Sequence, residues 1–134
     1  MSFNPKESID LNGHTGPFIQ YGYARICSLL DKVDNSNDFN PDNVQISNKE
    51  LDVIKIINHF EETIQLAAKD LSPAVLANYL FSLVKTYNSF YHDFPILKES
   101  NVDNKSFRLC LSLLTARVLK NGMDILGIEL PSRM

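Results

Sequence analysis

The 134-residue sequence carries 13 basic and 16 acidic residues, for a formal net charge of −3. Its length fits one domain, and its 44% hydrophobic fraction is ordinary for a globular protein. Proteins that bind nucleic acid on their own normally have a basic excess, so the charge balance argues against that class while allowing a local binding face.

The chain opens with mixed polar residues, and we interpret residues 1–14 as an extended lead-in to a helical domain at 15–134. The first helix is predicted at about 16–33, because Thr15 suits the N-cap and Pro17 suits the first turn. Its apolar side chains share one face that should contact the core: Ile19, Tyr23, Ile26, Leu30 and Val33.

A second face of this helix combines two aromatic rings with a cation. Phe18, Tyr21 and Arg25 follow the i, i+3, i+7 spacing, which places them on one side, away from the core stripe. Rings and a guanidinium on such a face suit base stacking and phosphate contact. The alternative is that the two rings pack under the lead-in, and spacing alone favours that interpretation.

Two further helices follow a turn-rich loop at 34–47. The second helix starts at a capping box formed by Ser47 and Glu50. Its core stripe is Val53, Ile57, Phe60, Ile64, Ala67 and Leu71. The third helix starts at Ser72 and should end at Pro95. Its buried stripe is Leu76, Leu80, Leu83, Tyr87, Phe90 and Phe94.

The last helix is predicted at 105–121, with Asp103 or Asn104 as its cap. Apolar residues lie on nearly all of its sides, which is typical of a helix buried by neighbours on every side. We therefore expect the other helices to pack around it, with Leu111 and Leu114 at the centre of the fold.

Gly122 and Gly127 follow this helix and suit helix ends that need a positive φ. Taken together, these elements predict an all-α fold, a helical bundle of about four long helices.

Blocks spread along the chain are similar to sequences of arginyl-tRNA synthetases. Residues 13–25, GHTGPFIQYGYAR, resemble the GNTGPYLQYAHAR stretch that opens the C-terminal anticodon-binding domain of these enzymes, the DALR type. Residues 88–97, NSFYHDFPIL, resemble NxFYHxxPVL. Residues 118–128 and 131–134 resemble VLxxGLxLLGI and the terminal PERM. Residues 105–108 stand where the DALR sequence itself falls, and only the arginine is kept.

The resemblance implies the anticodon-binding domain of an arginyl-tRNA synthetase, a class I enzyme that joins arginine to its tRNA. The expected partners are the anticodon arm of arginine tRNA and the catalytic domain of the same synthetase. We expect the parent enzyme to be a cytoplasmic monomer that uses ATP and Mg. The HIGH-like and KMSK-like strings of the catalytic domain are absent here, so this chain alone is expected to hold no cofactor and to be inactive.

The resemblance also implies which residues bind the anticodon. The positions matching Phe18, Tyr21 and Arg25 line the anticodon surface in the family, as does a tyrosine aligned with Tyr91. The chain-terminal carboxylate, here on Met134, lies nearby in the family and accepts a base amino proton. Phe18 replaces a family tyrosine, so it keeps the stacking face and loses the hydroxyl.

The chain offers little for other functions. Cys27 and Cys110 lie among apolar neighbours, which predicts buried, reduced thiols of a cytoplasmic protein. The acidic cluster Asp31, Asp34, Asp38 and Asp42 lacks the spacing of an EF-hand, so we expect no metal site. His92 and Asp93 follow a serine, but neighbours on a helix point apart, so we expect no catalytic group.

The alternative is a helical protein–protein interaction module that does not bind nucleic acid. Such a module requires an exposed apolar groove or patch. The apolar stripes counted above can all be buried within the bundle, which favours the first hypothesis.

Overall fold

A computed structural model describes residues 15–33 and 39–132. These ranges form helices and no strands, which confirms the all-α fold. The α-helices are α1 (Thr15–Asp31), α2 (Asn48–Asn58), α3 (Phe60–Lys69), α4 (Pro73–Asp93) and α5 (Val102–Ile125). Two short 3-10 helices are formed by Pro41–Asn43 and Ile96–Lys98. None of the helices in these ranges is both long and apolar enough to cross a membrane. The proposed lead-in, residues 1–14, lies outside the described residues.

The described residues form five α-helices where about four were expected, because the predicted second helix is interrupted at His59. Its backbone, with φ −92° and ψ 5°, ends α2 and starts α3. At this point the hydroxyl of Tyr79 on α4 donates a hydrogen bond to the backbone carbonyl of Ile56. The contact joins segments 23 residues apart, so no local pattern indicates it.

α4, and not the last helix, lies at the centre of the bundle. It packs against all four other α-helices, whereas α5 packs chiefly on α1, α2 and α4. The buried stripe predicted for α4 is confirmed in its first five positions, and the sixth, Phe94, is half-buried. The buried members are Leu76, Leu80, Leu83, Tyr87 and Phe90.

The orientation predicted for α5 is only half right. Leu111 is buried, but the side chain of Leu114 is 42% exposed and does not belong to the core. Polar residues take up part of the buried face, because the hydroxyls of Ser112 and Thr115 donate hydrogen bonds to carbonyls one turn earlier in α5, both at 2.8 Å. A count of apolar residues alone therefore misplaces the buried side of this helix.

The cap of α5 is Asn101, and the prediction of Asp103 or Asn104 was wrong. The Asn101 side chain accepts a hydrogen bond from the backbone N–H of Asn104 at 3.0 Å. Asp103 instead accepts hydrogen bonds from the Asn40 backbone N–H at 2.9 Å and from the Asn43 amide at 3.0 Å. These two bonds, the backbone bond first, lower the pKa of the Asp103 carboxyl and fasten the loop before α2 to α5.

The two glycines near the end of α5 have different roles. Gly127 has φ +75°, as expected for a residue that ends a helix. Gly122 lies inside α5 and was wrongly placed at a helix end. A Cβ atom there would lie 2.7 Å from Leu80 Cδ2 of α4, so any larger residue would require the buried Leu80 side chain to shift.

Candidate functional site

The exposed face of α1 is fixed by how closely the helix packs on α4. Ile19 and Ile26 are fully buried on its inner side. At Gly22, a Cβ atom would lie 2.6 Å from Val84 Cγ1, so the Val84 side chain of α4 packs directly on the backbone of α1 there. This close approach turns Tyr21 outward, with 62% of it exposed, and brings Arg25 beside the C-terminal half of α4.

Arg25 is held in place by two residues of α4. Its Nη1 donates a hydrogen bond to Asn88 Oδ1 at 3.1 Å. Its guanidinium carbon lies 5.4 Å from the centroid of the Tyr91 ring, within the range of a cation–π contact. The cation is therefore oriented before any ligand arrives, and it remains exposed to solvent.

Arg25 and Tyr91 line a surface cavity of about 440 Å³. The C-terminal end of α4 and the turn that follows it complete the walls. The lining residues are Arg25, Tyr91, His92, Pro95, Ile96, Leu97 and Lys98. They combine an aromatic ring, apolar side chains and two permanent positive charges, and they include no carboxylate.

The carboxylates near this cavity form ion pairs with other residues: Asp93 pairs with Lys49, and Glu99 shares Arg108 with Glu50. Asp93 forms an ion pair with Lys49 of α2, which lowers the pKa of the Asp93 carboxyl mainly through their hydrogen bond. Glu99 forms an ion pair with Arg108 at 2.7 Å. In the two ranges that the structure covers, no carboxylate forms an ion pair with Arg25, so the cavity favours an anionic ligand.

The predicted anticodon residues fall into three groups. Arg25 and Tyr91 are brought together. Tyr21 lies one helical turn before Arg25, on the same exposed face but outside the cavity lining. Phe18 is half-buried, with its ring centroid 4.8 Å from that of Phe81, so packing already occupies part of its stacking surface. Met134 lies outside the described residues.

Sequence reasoning missed Asn88, His92 and Lys98 as parts of this site. Of these three, only His92 was weighed individually, as a catalytic group. One signal was available: Pro95 ends α4 shortly after Tyr91, which forces the chain to turn beside the ring.

A second depression, of about 350 Å³, lies at the other end of α4. Its lining is mainly apolar and comes from α3, the start of α4 and the end of α5. Leu71, which was predicted to be a core residue, is instead 81% exposed at its rim, where its φ of +50° ends the helix pattern. This is the kind of groove that the protein-interaction hypothesis requires.

The described residues form a small all-α domain whose Arg25 cavity combines an aromatic ring with cationic side chains, groups of the kinds that proteins use to bind unpaired nucleotides. Residues 19–134 match the family model of the DALR anticodon binding domain. The chain belongs to this family.

Several known proteins are similar to this chain over all or nearly all of its length. The arginine–tRNA ligase of Parabacteroides distasonis is 53% identical over 100% of the chain, and that of Flavobacterium psychrophilum is 48% identical. The structure of Thermus thermophilus arginyl-tRNA synthetase superimposes on 98% of the chain with a TM-score of 0.82 and 32% identity. The chain spans 23% of the length of the Parabacteroides and Thermus proteins. These similarities support the synthetase hypothesis and give no support to the protein-interaction module.

Proposed function

We propose that this chain recognises the anticodon arm of arginine tRNA, as the anticodon-binding domain of an arginine–tRNA ligase. The observation that carries the proposal is the cavity in which Asn88 and Tyr91 orient Arg25, beside the exposed ring of Tyr21. The position is notable because the carboxylates nearby, on Asp93 and Glu99, are already paired.

The proposed mechanism uses stacking and charge. Anticodon bases are unpaired and can turn out of the loop to stack on aromatic rings. One base stacks on Tyr21, which contributes ~1–3 kcal/mol to binding. A neighbouring nucleotide enters the cavity between Tyr91 and Arg25, and Lys98 contacts a phosphate at its edge. The volume of about 440 Å³ falls in the range typical of small-ligand sites.

Phe18 and Met134 complete the proposed anticodon site. Phe18 contributes an edge of its ring at most, because its ring packs on Phe81. The terminal carboxylate of Met134 is proposed, by resemblance to the family, to accept a base amino proton. Removing Met134 should then weaken RNA binding more than the loss of a frayed terminal residue normally does.

Catalysis is proposed to lie in the remainder of the longer parent protein, a cytoplasmic monomer that uses ATP and Mg to charge arginine tRNA. The 134-residue chain should therefore show no arginine-dependent ATP–pyrophosphate exchange. Exchange by the purified chain would contradict this part of the proposal.

The test measures the affinity of the chain for an arginine-tRNA anticodon stem-loop at several salt concentrations. Tyr21→Ala should cost ~1–3 kcal/mol of binding free energy, and Tyr21→Phe should retain most of it. Arg25→Ala should weaken binding and lower the salt dependence by about one counterion. Arg117→Ala removes an exposed arginine that does not line the cavity and serves as the matched control.

Tyr21 and Arg25 both lie on an exposed face, so melting curves of Tyr21→Ala and Arg25→Ala should show little loss of stability. If Tyr21→Ala and Arg25→Ala fold normally and bind the stem-loop as well as Arg117→Ala does, this face is not the anticodon site. Equal affinity for the stem-loop of a different tRNA would contradict the assignment to arginine tRNA.

A further inference from the structure

Arg108 of α5 is a buried cation at the junction of three chain segments. Only 6% of it is exposed. Its Nε donates a hydrogen bond to Glu50 Oε1 of α2 at 2.8 Å, and its Nη1 donates to Glu99 Oε2 at 2.7 Å. Its guanidinium carbon also lies 4.9 Å from the centroid of the Phe94 ring. A charge this deeply buried is stable only while these partners remain in place.

Two of these partners bracket one wall of the Arg25 cavity. Phe94 and Glu99 are the residues on either side of the segment 95–98, and all four residues of that segment line the cavity. In its middle, Ile96 is fully buried and anchors the segment to the core. Arg108 does not line the cavity, so its connection to the site runs through the two ends of this wall.

The third partner belongs to the scaffold. Glu50 accepts a hydrogen bond from the Ser47 backbone N–H through its other oxygen, Oε2, at 2.6 Å, which completes the capping box of α2. One carboxylate thus fixes the start of a helix and the position of Arg108. The guanidinium joins this fixed point to a short segment that contains only one turn of 3-10 helix.

We propose that Arg108 is a positioning residue for RNA binding: through Glu99 and Phe94 it holds residues 95–98 as a preformed wall that presents Lys98 to a phosphate of the bound nucleotide. The inference rests on the proposed function. A preformed wall does not have to be ordered when the RNA binds, and this raises affinity without adding a contact.

The ion pairs provide a matched pair of variants. Glu99→Ala removes the carboxylate that joins Arg108 to the wall, together with its hydrogen bond to the Asn101 backbone N–H. Glu50→Gln removes the charge of the other ion pair of Arg108, and its one amide oxygen can still accept the Ser47 backbone N–H that completes the capping box. Both changes disturb Arg108, but only Glu99→Ala removes a contact between Arg108 and one end of the wall; the Phe94 contact at the other end is left in place.

The first measurement needs no RNA. In amide NMR spectra of the chain, Glu99→Ala should shift the signals of Leu97 and Lys98 and lower their order parameters toward the flexible range, below about 0.6. Glu50→Gln should leave these two amides close to their wild-type values. If Glu99→Ala moves them no more than Glu50→Gln does, Arg108 does not hold the wall and the inference is wrong.

The second measurement is a double-mutant cycle of stem-loop affinity. Glu99→Ala should weaken binding roughly tenfold, because the wall must then be ordered on binding. Lys98→Ala should weaken binding in the wild-type background and add little in the Glu99→Ala background, since Lys98 is no longer presented there. A merely structural role for Arg108 predicts additive losses that follow stability, and additive losses would overturn the inference.

The two proposals fail in different ways. If the wild-type chain does not bind the stem-loop, or if Tyr21→Ala and Arg25→Ala bind it normally, the proposed function is refuted and the role of the wall in RNA binding falls with it. If those changes weaken binding but the cycle is additive, only the role of Arg108 is refuted.

Discussion

Two leucines on α5 provide a sharp test of the fold, because one lies in the core and the other does not. Leu119 is fully buried, whereas Leu114 is 42% exposed on the same helix. Truncating a fully buried leucine to alanine costs ~2.7–5 kcal/mol, through lost burial and the cavity that remains. Leu114→Ala removes atoms that already contact water and leaves no closed cavity, so its cost should stay under ~1 kcal/mol.

These free energies convert into different melting temperatures. At ~2.1 cal/mol/K per residue, a chain of 134 residues has an unfolding entropy of ~0.28 kcal/mol/K. A loss of ~3 kcal/mol in Leu119→Ala therefore lowers the melting temperature by ~11 °C, and Leu114→Ala lowers it by less than ~4 °C. Because typical domains have only ~5–15 kcal/mol of stability, the first change is large.

The assay is thermal and urea unfolding followed by circular dichroism at the helical minimum, with both variants and the wild type under one set of conditions. An unchanged urea m-value would show that the variants differ in stability and not in the extent of unfolding. Equal melting temperatures for the two variants, or a larger loss in Leu114→Ala, would refute the described orientation of α5.

Three further outcomes are expected. Gly122→Ala should destabilise the fold by a net amount of up to ~2 kcal/mol, because the clash with Leu80 costs ~1–3 kcal/mol and the higher helix propensity of alanine offsets up to ~1 kcal/mol of it. A urea midpoint above that of the wild type would contradict the close packing. Burial raises the pKa of Tyr87 above its usual value of 10, so the stability that the neutral Tyr87 hydroxyl provides is intact below pH 10 and is lost as the pH rises above it. The urea midpoint of Tyr87→Phe should therefore fall less steeply than that of the wild type as the pH rises through about 10. Parallel curves for the two proteins would contradict this. Ser47→Ala should cost ~1 kcal/mol through loss of the α2 cap, with Ser47→Thr close to wild type; equal midpoints would show that the cap is unimportant.

Local patterns predicted some elements well and others poorly, for identifiable reasons. The α4 stripe and the Ser47 cap depend on neighbouring residues, and both were predicted correctly. The break at His59 accompanies a hydrogen bond from a helix that is distant in the sequence, so no local pattern could indicate it. The exposed side of α5 was misjudged because Ser112 and Thr115 can enter a core when their hydroxyls bond to their own helix.

The candidate site was predictable only in part. Spacing placed Tyr21 and Arg25 on one face, and resemblance to the family added Tyr91. The cavity between them depends on how the turn after α4 folds back, so Lys98 could not be recognised from its position in the chain. In the sequence, Arg108 was recognised only as the one residue of the DALR motif that this chain keeps. Its structural role depends on ion pairs with Glu50 and Glu99, which lie 58 and 9 residues away.

The single unbroken helix α4 determines where the parts of this protein lie relative to one another. Leu76, beside the apolar depression, and Tyr91, in the Arg25 cavity, belong to the same 21-residue helix. Their separation along the helix axis is therefore ~22 Å, set by backbone geometry alone. One inserted residue between them would rotate Tyr91 by ~100° and turn its ring away from Arg25. The length of α4 thus fixes both the distance and the angle between the two surface features. The number of residues in α4 should therefore vary far less among related proteins than the side chains on its exposed face.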